Sequence, residues 1–429
     1  MKKLNVEPLR GFRDIFFEEA EVIDFVMKES ERLARRWGFK KCFLPTLERF
    51  ELFAMKSGVE IEKTMYVFKD KAGRTVALRP EATASVVRAY LRLLRAQPKP
   101  LKLFTVVNVF RYDEPQYARY REFYQADFEV FGSSDSYEDA ELITMLHDFY
   151  ENLGLRHEIV VGSVKALRTI LSEEGVNEKE QDVILHLIDK GKVDEALERL
   201  EKMARNPERA VKTVRELVSV EGGEEVLERG VEIMKQSGYG YGFEDLLQLT
   251  KYLPDDVKSV IKIKLAFARG LAYYTGLIYE VKVPGFPVSV AGGGRYDTLT
   301  EVYGWERVPA TGFAIGIDRT ALALSKMRGW SAERPTVVVI PLDEEARKEA
   351  LAIARELASL DVDTILLTEK KSIKKMLAYA SEKKARVAII LGKREISEGK
   401  VTVKNLDKYK QVSCPRKSLL DCLADALKT

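Results

Sequence analysis

Residues 109–129 read VFRYDEPQYARYREFYQADFE and link two β-type runs through a polar loop. The alternation on either side of the loop predicts an antiparallel hairpin with a charged tip. Because successive side chains of a strand point to opposite faces, alternate residues of the second strand are expected to project together. Taken singly, such groups are typical of a solvated surface hairpin, whereas their convergence with other motifs favours a binding cleft. The residues expected on one face are Phe123, Gln125, Asp127 and Glu129, with Arg111 of the partner strand facing the same cleft.

Two further motifs carry groups suited to an amino-acid substrate. ALRPEATAS places Glu81 and Thr83 at a strand-to-helix junction, where an ammonium-bearing ligand would find acceptors. Thr83 could equally belong to an N-terminal capping arrangement. FARGLAYYTG puts Arg269 ahead of Tyr273 and Tyr274, although paired tyrosines are more often half-buried core than ligand contacts.

Glycines and arginines accompany these groups. AGGGRYD, residues 291–297, fits neither the dinucleotide nor the P-loop fingerprint, so its glycines are expected to form a flat floor under a ligand. GFAIGIDR ends on Arg319 at a strand-to-helix turn, where a guanidinium can meet a polyphosphate. No nucleophile stands beside a base. Arginines, carboxylates and glycines together suit phosphate-anhydride chemistry, in which positioning and charge stabilisation supply most of the rate.

Composition excludes several other classes. The 429 residues are 46% apolar and carry 70 Lys and Arg against 67 Asp and Glu, as expected of an ordinary soluble protein of two to four domains. The three histidines lack metal-ligand spacing, so a His-built metal site and a Ser/His/Asp triad are not expected. Cys42, Cys414 and Cys422 are interpreted as packing residues in a reducing interior. No signal peptide or membrane span is evident, which predicts a cytoplasmic protein.

Changes in periodicity divide the chain. Mixed helix and strand signals give way to charged, helix-periodic sequence, return around the glycine cluster, and end in a compact β-α-β-α-β pattern with mixed sheet. That last segment carries 19 Lys and Arg against 14 Asp and Glu, a net of +5. The predicted parts are a catalytic domain in two pieces, 1–163 and 253–326, a helical insertion at 164–252, and a C-terminal domain at 335–429.

In chain order, the motifs LRPEATA, FRYDEP, RYREFYQADFE, RGLAYY, AGGGRYD and GFAIGIDR resemble those of the histidyl-tRNA synthetases, a class II aminoacyl-tRNA synthetase family. The resemblance covers nearly the whole chain, and GFKKCFLPTLERFELF is similar to the dimer-forming first class motif. It implies an α+β fold. The catalytic domain would be an antiparallel six-stranded sheet flanked by helices, with a helical insertion and a C-terminal α/β anticodon-binding-like domain.

The resemblance also implies a reaction. L-Histidine would be activated with ATP to histidyl-adenylate and pyrophosphate, and histidine would then pass to the 3′ end of tRNA(His). It implies catalytic roles for Arg269 and Arg111, and Mg²⁺ accompanying ATP without a separate metal cage. The implied ATP-binding residues are Arg111, Arg119, Phe123, Arg319 and Asp113; the implied histidine-binding residues are Glu81, Thr83, Gln125, Glu129, Arg269, Tyr273 and Tyr274.

Three positions depart from the family pattern. Ala272 stands where the family usually has Asp in RGLDYY, which affects a contact that would orient Arg269 or the tyrosines. Asp113 is one methylene shorter than the usual Glu, and Glu114 beside it could share its role. Ala82 replaces a common glycine and is expected to be tolerated only at negative φ.

Two alternatives remain. One is a catalytically idle paralogue, like the regulatory subunit of ATP phosphoribosyltransferase, which would bind histidine as a signal; such relatives lack the C-terminal unit. The other is a class II synthetase for proline, threonine or glycine, against which RGLAYY and the QxxxE spacing argue. The family further implies a homodimer through the segment around Pro45. A tRNA surface in the C-terminal domain is implied as well, although a run such as Lys370, Lys371, Lys374 and Lys375 by itself is typical of a solvated face.

Overall fold

The computed structural model describes residues 3–55, 64–269, 273–329, 336–360, 362–368 and 371–428. The chain forms two compact units, Met1–Ser331 and Ala332–Thr429, each with its own hydrophobic core. Among the described helices, none combines the length and apolar content that crossing a bilayer requires.

The first unit is built on a nine-stranded sheet in the order β1-β5-β6-β12-β11-β10-β7-β9-β8, with β2, β4 and β3 in a small separate sheet. The six central strands, from β5 to β7, pair antiparallel throughout, which confirms the predicted six-stranded core. β1 and β9 extend that core in parallel, and β8 pairs antiparallel to β9. The strands are β1 (Lys40–Lys41), β2 (Leu47–Arg49), β3 (Val67–Lys69), β4 (Thr75–Leu78), β5 (Leu101–Phe110), β6 (Glu122–Phe131), β7 (Glu158–Ser163), β8 (Glu221–Gly222), β9 (Ile261–Lys264), β10 (Leu277–Lys282), β11 (Ala291–Arg295) and β12 (Ala310–Gly316).

The long helices α1 and α4 pack against one face of the large sheet, and the short helix α3 packs against the other. The segment predicted as a helical insertion, 164–252, contains six described helices, α5 to α10, and the short strand β8, which joins the sheet edge. The helices are α1 (Phe17–Arg36), α2 (Phe50–Ala54), α3 (Thr83–Ala89), α4 (Ser136–Asn152), α5 (Lys165–Glu173), α6 (Glu178–Asp189), α7 (Val193–Glu201), α8 (Pro207–Ser219), α9 (Val226–Gln236), α10 (Glu244–Tyr252), α11 (Asp255–Lys258), α12 (Leu299–Val302) and α13 (Ile317–Arg328), with a π-helical turn at Tyr90–Leu94.

Side-chain alternation in β6 gives the sheet two different faces. Phe128 packs with Phe104 and Phe313 at ring-centre distances of 4.7 and 4.4 Å, in the core shared with α1 and α4. The residues that flank Phe128, Asp127 and Glu129, therefore project to the opposite face. One strand thus supplies both the aromatic core and a polar surface.

A buried ion pair ties α4 to the sheet. Arg295 of the AGGGRYD motif donates from Nε and Nη2 to Asp139 Oδ2 at 3.0 and 2.6 Å, and both side chains are fully buried. Thr311 donates to the other carboxylate oxygen at 2.6 Å. Arg295 is therefore a structural residue on the helix side of the sheet.

We expect Arg295→Met to lower the free energy of unfolding by about 3–5 kcal/mol, because Asp139 would remain buried without its cation. Denaturant unfolding measures the loss. Arg307→Met is the matched control, since Arg307 is exposed and 3.8 Å from Asp297, and it should cost about 0.5 kcal/mol or less. A cost below about 1 kcal/mol for Arg295→Met would show that the pair does not hold the helix.

The second unit is a five-stranded mixed sheet in the order β14-β13-β15-β16-β17, with β13 parallel to β14 and β15 and the remaining pairs antiparallel. Sequence analysis missed β17, because five of its six residues are exposed and only Cys414 is buried, so no apolar alternation marks it. The elements are β13 (Val337–Pro341), α14 (Arg347–Ser359), β14 (Thr364–Leu366), α15 (Ile373–Glu382), β15 (Val387–Leu391), α16 (Lys393–Ser397), β16 (Lys400–Asn405), β17 (Lys410–Pro415), a 3₁₀ turn (Arg416–Ser418) and α17 (Leu419–Leu427).

The interpretation of all three cysteines as packing residues is wrong for two of them. Cys414 in β17 and Cys422 in α17 form a disulfide, with Cα atoms 6.6 Å apart. The strand-turn-helix path brings them together, which spacing alone does not reveal. Cys42 remains a free thiol. The cysteine count therefore no longer supports a reducing compartment.

Candidate active site

A cavity of about 640 Å³ lies on the polar face of the large sheet. Its walls come from β6, β10, β11 and β12, from the start of α3, and from the loop after β5. Every sequence-predicted site residue except Glu129 lines it, and Glu129 lies directly behind the wall, bonded to Thr83 and Tyr296. The lining residues among those predicted are Glu81, Thr83, Arg111, Asp113, Arg119, Phe123, Gln125, Arg269, Tyr273, Tyr274 and Arg319.

Four guanidinium groups gather at one side of the cavity. Arg319 is held by two backbone carbonyl oxygens, each 3.1 Å from its Nε or Nη1. Burial, together with the charges of Arg111, Arg119 and Arg269, lowers the pKa of Arg319 to about 10. The repulsion among these cations is relieved by a polyanion, so this side suits phosphate groups.

Arg111 and Phe123 form the edge of the cationic side. Arg111 Nε donates to the carbonyl of Pro80 at 2.8 Å, and its guanidinium lies 5.5 Å from the centre of the Phe123 ring. Asp113 lines the cavity, whereas Glu114 does not and instead pairs with exposed Arg10. Of the two acids that could have shared a role, only Asp113 is in position.

Arg121, which directly precedes β6, is not part of this cationic group. Its guanidinium donates to the carbonyl oxygens of Asp113 and Arg10 at 3.2 Å and stacks on Tyr112 at 3.8 Å. It is buried and outside the cavity lining. Arg121 therefore braces the loop that carries the site residues.

The glycine motif forms the floor, as predicted. Gly292 and Gly293 line the cavity, and Arg269 lies across β11 with its Nη1 donating to the carbonyl of Tyr279 at 2.7 Å. A Cβ at Gly292 would come within 1.6 Å of that Nη1. Position 292 must therefore be glycine for the Arg269 side chain to lie there.

For the adenylation that the family resemblance implies, we expect Gly292→Ala to slow the reaction about 100-fold, because displacing a charge-stabilising group by an ångström costs that much. The backbone at Gly292 is outside the left-handed region, so the variant should fold. Amino-acid-dependent ATP–pyrophosphate exchange measures the loss. Gly240→Ala, outside the cavity lining, should leave exchange unchanged. A rate for Gly292→Ala within threefold of the wild type would contradict this position of Arg269.

Three carboxyl groups, Glu81, Asp127 and Glu129, are buried in the cavity wall or directly behind it, each with no more than 4% of its surface exposed. Burial raises the pKa of all three. Neighbouring acids raise the pKa of Asp127 and Glu129 further, since each lies beside another carboxyl group. A cationic ligand would be stabilised here.

Two of these acids settle the role of Thr83. Glu81 accepts from the backbone N–H of Ala84 at 3.0 Å and so caps α3. The Thr83 hydroxyl donates to Glu129 Oε1 at 2.6 Å, and the Tyr296 hydroxyl donates to Glu129 Oε2. Thr83 therefore does not cap the helix; it holds Glu129.

The two tyrosines of the RGLAYY motif are both core residues and cavity-lining residues. Tyr273 and Tyr274 are buried, with ring centres 5.0 Å apart, and belong to a hydrophobic cluster that also contains Tyr296. Both nevertheless line the cavity. Burial raises the pKa of Tyr274 to about 12, so its phenol is a hydrogen-bond donor at neutral pH.

Sequence reasoning assigned no role to several lining residues. Tyr296 and Asp127 stood inside quoted motifs, and strand alternation already pointed Asp127 into the cleft. Asp189 and Lys190, at the end of α6, also line the cavity and carried no sequence signal, because only the tertiary fold brings this helix to the site.

Two other positions, Ala82 and Ala272, depart from the family pattern. Ala82 has φ −101°, so the expectation of a negative φ is confirmed. Ala272 lies outside the described residues. In the part of the chain that the structure describes, no three His, Cys, Asp or Glu side chains come together as a metal site.

Comparisons with known proteins identify the family of the chain. The family model "Histidyl-tRNA synthetase" matches residues 11–320, and the model "Anticodon binding domain" matches residues 336–425. A histidine–tRNA ligase of Saccharolobus solfataricus is 40% identical over 426 residues, which are 98% of this chain and 99% of that protein.

Two solved structures share the fold. Histidyl-tRNA synthetase of a Nostoc species has a TM-score of 0.82 at 22% identity, over 99% of this chain and 100% of that one. A Bacillus halodurans protein described as an ATP phosphoribosyltransferase regulatory subunit/histidyl-tRNA synthetase has a TM-score of 0.75 at 22% identity, over 91% and 99%. Given the family models and the full-length curated relative, the chain belongs to the histidyl-tRNA synthetase family.

Proposed function

We propose that the 640 Å³ cavity is the site at which the chain carries out the reaction of its family. As a histidine–tRNA ligase, the chain activates L-histidine with ATP to histidyl-adenylate and pyrophosphate, then transfers histidine to the 3′ end of tRNA(His). One observation carries the assignment to this cavity: four guanidiniums and the buried carboxyl groups of Glu81 and Asp127 line a single space, with Glu129 directly behind its wall. Such a space suits a polyphosphate and an ammonium-bearing amino acid at once.

In the activation step, a histidine carboxylate oxygen attacks the α-phosphorus of ATP, and the bond to pyrophosphate breaks. Negative charge grows on the α-phosphate oxygens, so fixed cations there lower the barrier. We assign this task to Arg269, whose guanidinium lies over Gly292 of β11, and to Arg111, which follows the end of β5. The protein needs no nucleophile, because the substrate carboxylate is the attacking group.

The other cationic residues bind ATP in this proposal. Phe123 stacks on adenine, Arg119 and Arg319 hold the outer phosphates, and Asp113 completes the ATP site. Mg²⁺ enters with ATP, held chiefly by phosphate oxygens and water, which is its usual mode with nucleotides. Asp113 is the carboxylate on the cationic side that would meet it.

Histidine occupies the carboxylate side. Glu81, Thr83 and Gln125 surround its α-amino and carboxylate groups, while Glu129 and Tyr274 bind the imidazole, with Tyr273 packing beside them. An amino acid without the imidazole nitrogens would leave these buried polar groups unpaired, which is a strong basis for rejection.

The second unit is proposed to bind tRNA. Its match to anticodon-binding domains and its net charge of +5 support this. It also argues against the regulatory paralogue, which lacks such a unit. Of the lysines named from the sequence, Lys370 lies outside the described residues. Charging of tRNA(His) transcripts tests the proposal: charging with histidine is expected, with a tRNA KM that rises with salt. Failure to charge at any salt concentration would contradict it.

We further infer a cytoplasmic homodimer, in which the segment around Pro45 is the interface. A second cavity of about 710 Å³, lined by Pro45, Leu52 and Trp305 among others, supports this, as do exposed Phe43 and Met55. Light scattering should give twice the chain mass, and a monomer mass would overturn the inference. The domain boundaries 1–163, 164–252, 253–326 and 335–429 are retained as part of the proposal.

A further inference from the structure

Asp127 is a buried acid for which the reaction as described provides no partner. It sits in β6 between Gln125 and Glu129, directly opposite Thr105 of β5 and Ala314 of β12. Only 2% of its surface is exposed, yet it lines the cavity. Within the described residues, its Oδ2 is fully buried and receives no hydrogen bond.

The neighbouring cations do not satisfy this oxygen. The Arg79 guanidinium donates hydrogen bonds to the backbone carbonyls of Leu44, Pro45 and Asn108 and to the Asn108 side chain, at 2.7–3.1 Å. Arg111 directs its Nε to the Pro80 carbonyl. A buried carboxyl oxygen without a donor costs free energy, so its persistence calls for a partner that the protein alone does not supply.

The substrates offer three kinds of nitrogen donor. In the proposed ATP site the adenine amine lies beside Phe123, four residues from Asp127 and so about 14 Å away along the strand at about 3.4 Å per residue. The imidazole faces Glu129, which already holds two hydroxyl groups in place. The α-ammonium of histidine lies between these ends, on the side of Glu81, whose charge also acts on Asp127.

We infer that Asp127 binds the α-ammonium group of histidine together with Glu81, and so distinguishes an α-amino acid from an imidazole acid without that group. Burial and the charge of Glu81 raise the pKa of Asp127, and an ammonium ion placed between the two acids favours the ionised carboxylate. Ala314, opposite Asp127 on β12, has only a methyl group, which leaves room for the ligand. This inference rests on the proposed histidine site.

The test compares two ligands on three proteins. L-Histidine and 3-(imidazol-4-yl)propanoate share the imidazole and the carboxylate and differ in the α-ammonium. Calorimetry gives their Kd values for the wild type, for Asp127→Asn and for Thr105→Val. Thr105 is the matched control because it is also a buried polar residue, directly opposite Asp127 on the same sheet face, but it does not line the cavity.

Asp127→Asn should weaken histidine binding about 10- to 100-fold, the usual range for a hydrogen bond to a charged group, and leave the propanoate within threefold of the wild type. Thr105→Val should leave the Kd values of both ligands unchanged. Asp127→Glu should keep part of the wild-type preference for histidine over the propanoate. The KM for ATP in exchange should stay constant.

Equal weakening of both ligands by Asp127→Asn would overturn the inference, since a structural or imidazole-binding residue acts on both. Unchanged histidine binding would overturn it too. If Asp127→Asn does not fold, Asp127→Glu replaces it in the test. The ratio of its two Kd values should then lie between that of the wild type and one, and a ratio equal to that of the wild type would overturn the inference. A wild type that does not prefer histidine to the propanoate would refute the histidine site itself, a result distinct from the first two.

Discussion

Arg269→Ala is expected to reduce histidine-dependent ATP–pyrophosphate exchange about 10³-fold, the upper range for removing one charge-stabilising donor from an active site. The loss should fall on kcat more than on the KM for histidine, because the group acts on charge that develops during the reaction. Folding should suffer little. Among the described residues, Arg269 makes one backbone hydrogen bond, at 2.7 Å. Its removal relieves repulsion with Arg319, which offsets the loss of its attraction to Asp189 and Glu280.

The control for this variant is Arg229→Ala. Arg229 is half exposed, pairs with Glu232 on the same helix and lies outside the cavity lining. Its removal should leave exchange unchanged. A loss below tenfold for Arg269→Ala would mean that Arg111 alone supplies the charge stabilisation, and the central role of Arg269 would be wrong.

Glu129→Ala is expected to lower kcat/KM for histidine about 10³-fold, because the imidazole loses its buried partner. The hydroxyls of Thr83 and Tyr296 would also lose their acceptor, which adds an unfolding cost of about 1–3 kcal/mol. Exchange kinetics and denaturant unfolding on the same preparation separate the two effects.

Glu129→Gln distinguishes charge from shape. It keeps an oxygen for one hydroxyl and should fold nearly as well as the wild type, while losing the acceptor that an imidazole N–H needs in competition with both hydroxyls. Exposed Glu301 provides the control, and Glu301→Ala should leave kcat/KM unchanged. Wild-type kinetics in Glu129→Gln would show that Glu129 serves only to position Thr83 and Tyr296.

Local sequence rules predicted those features of the site that depend on one strand or one motif. Alternation in β6 placed Gln125 and Asp127 on the same face, and the absence of side chains in AGGGRYD predicted the floor on which Arg269 lies. Such features follow from strand geometry alone. The antiparallel order of the six central strands was implied by family resemblance rather than by any local pattern.

Features that depend on distant parts of the chain escaped sequence analysis. Asp189 reaches the cavity only because α6 folds back over it, and no periodicity reports that. The Cys414–Cys422 disulfide forms because β17 turns directly into α17, and β17 itself lacked a recognisable pattern. Thr83 fits a helix cap by its local sequence, but its hydroxyl donates to Glu129, 46 residues away along the chain, and the Glu81 carboxylate bonds the first turn of α3 instead.

The most direct test of the account is ATP–pyrophosphate exchange with the wild-type protein, supplied with each of the twenty amino acids in turn. Exchange with histidine alone is the predicted result, because the cavity pairs four guanidiniums for ATP with buried acceptors for one cationic amino acid. Histidine binding without exchange would contradict the account and indicate a regulatory histidine-binding protein. Exchange with proline, threonine or glycine in place of histidine would contradict the assignment of the amino-acid site.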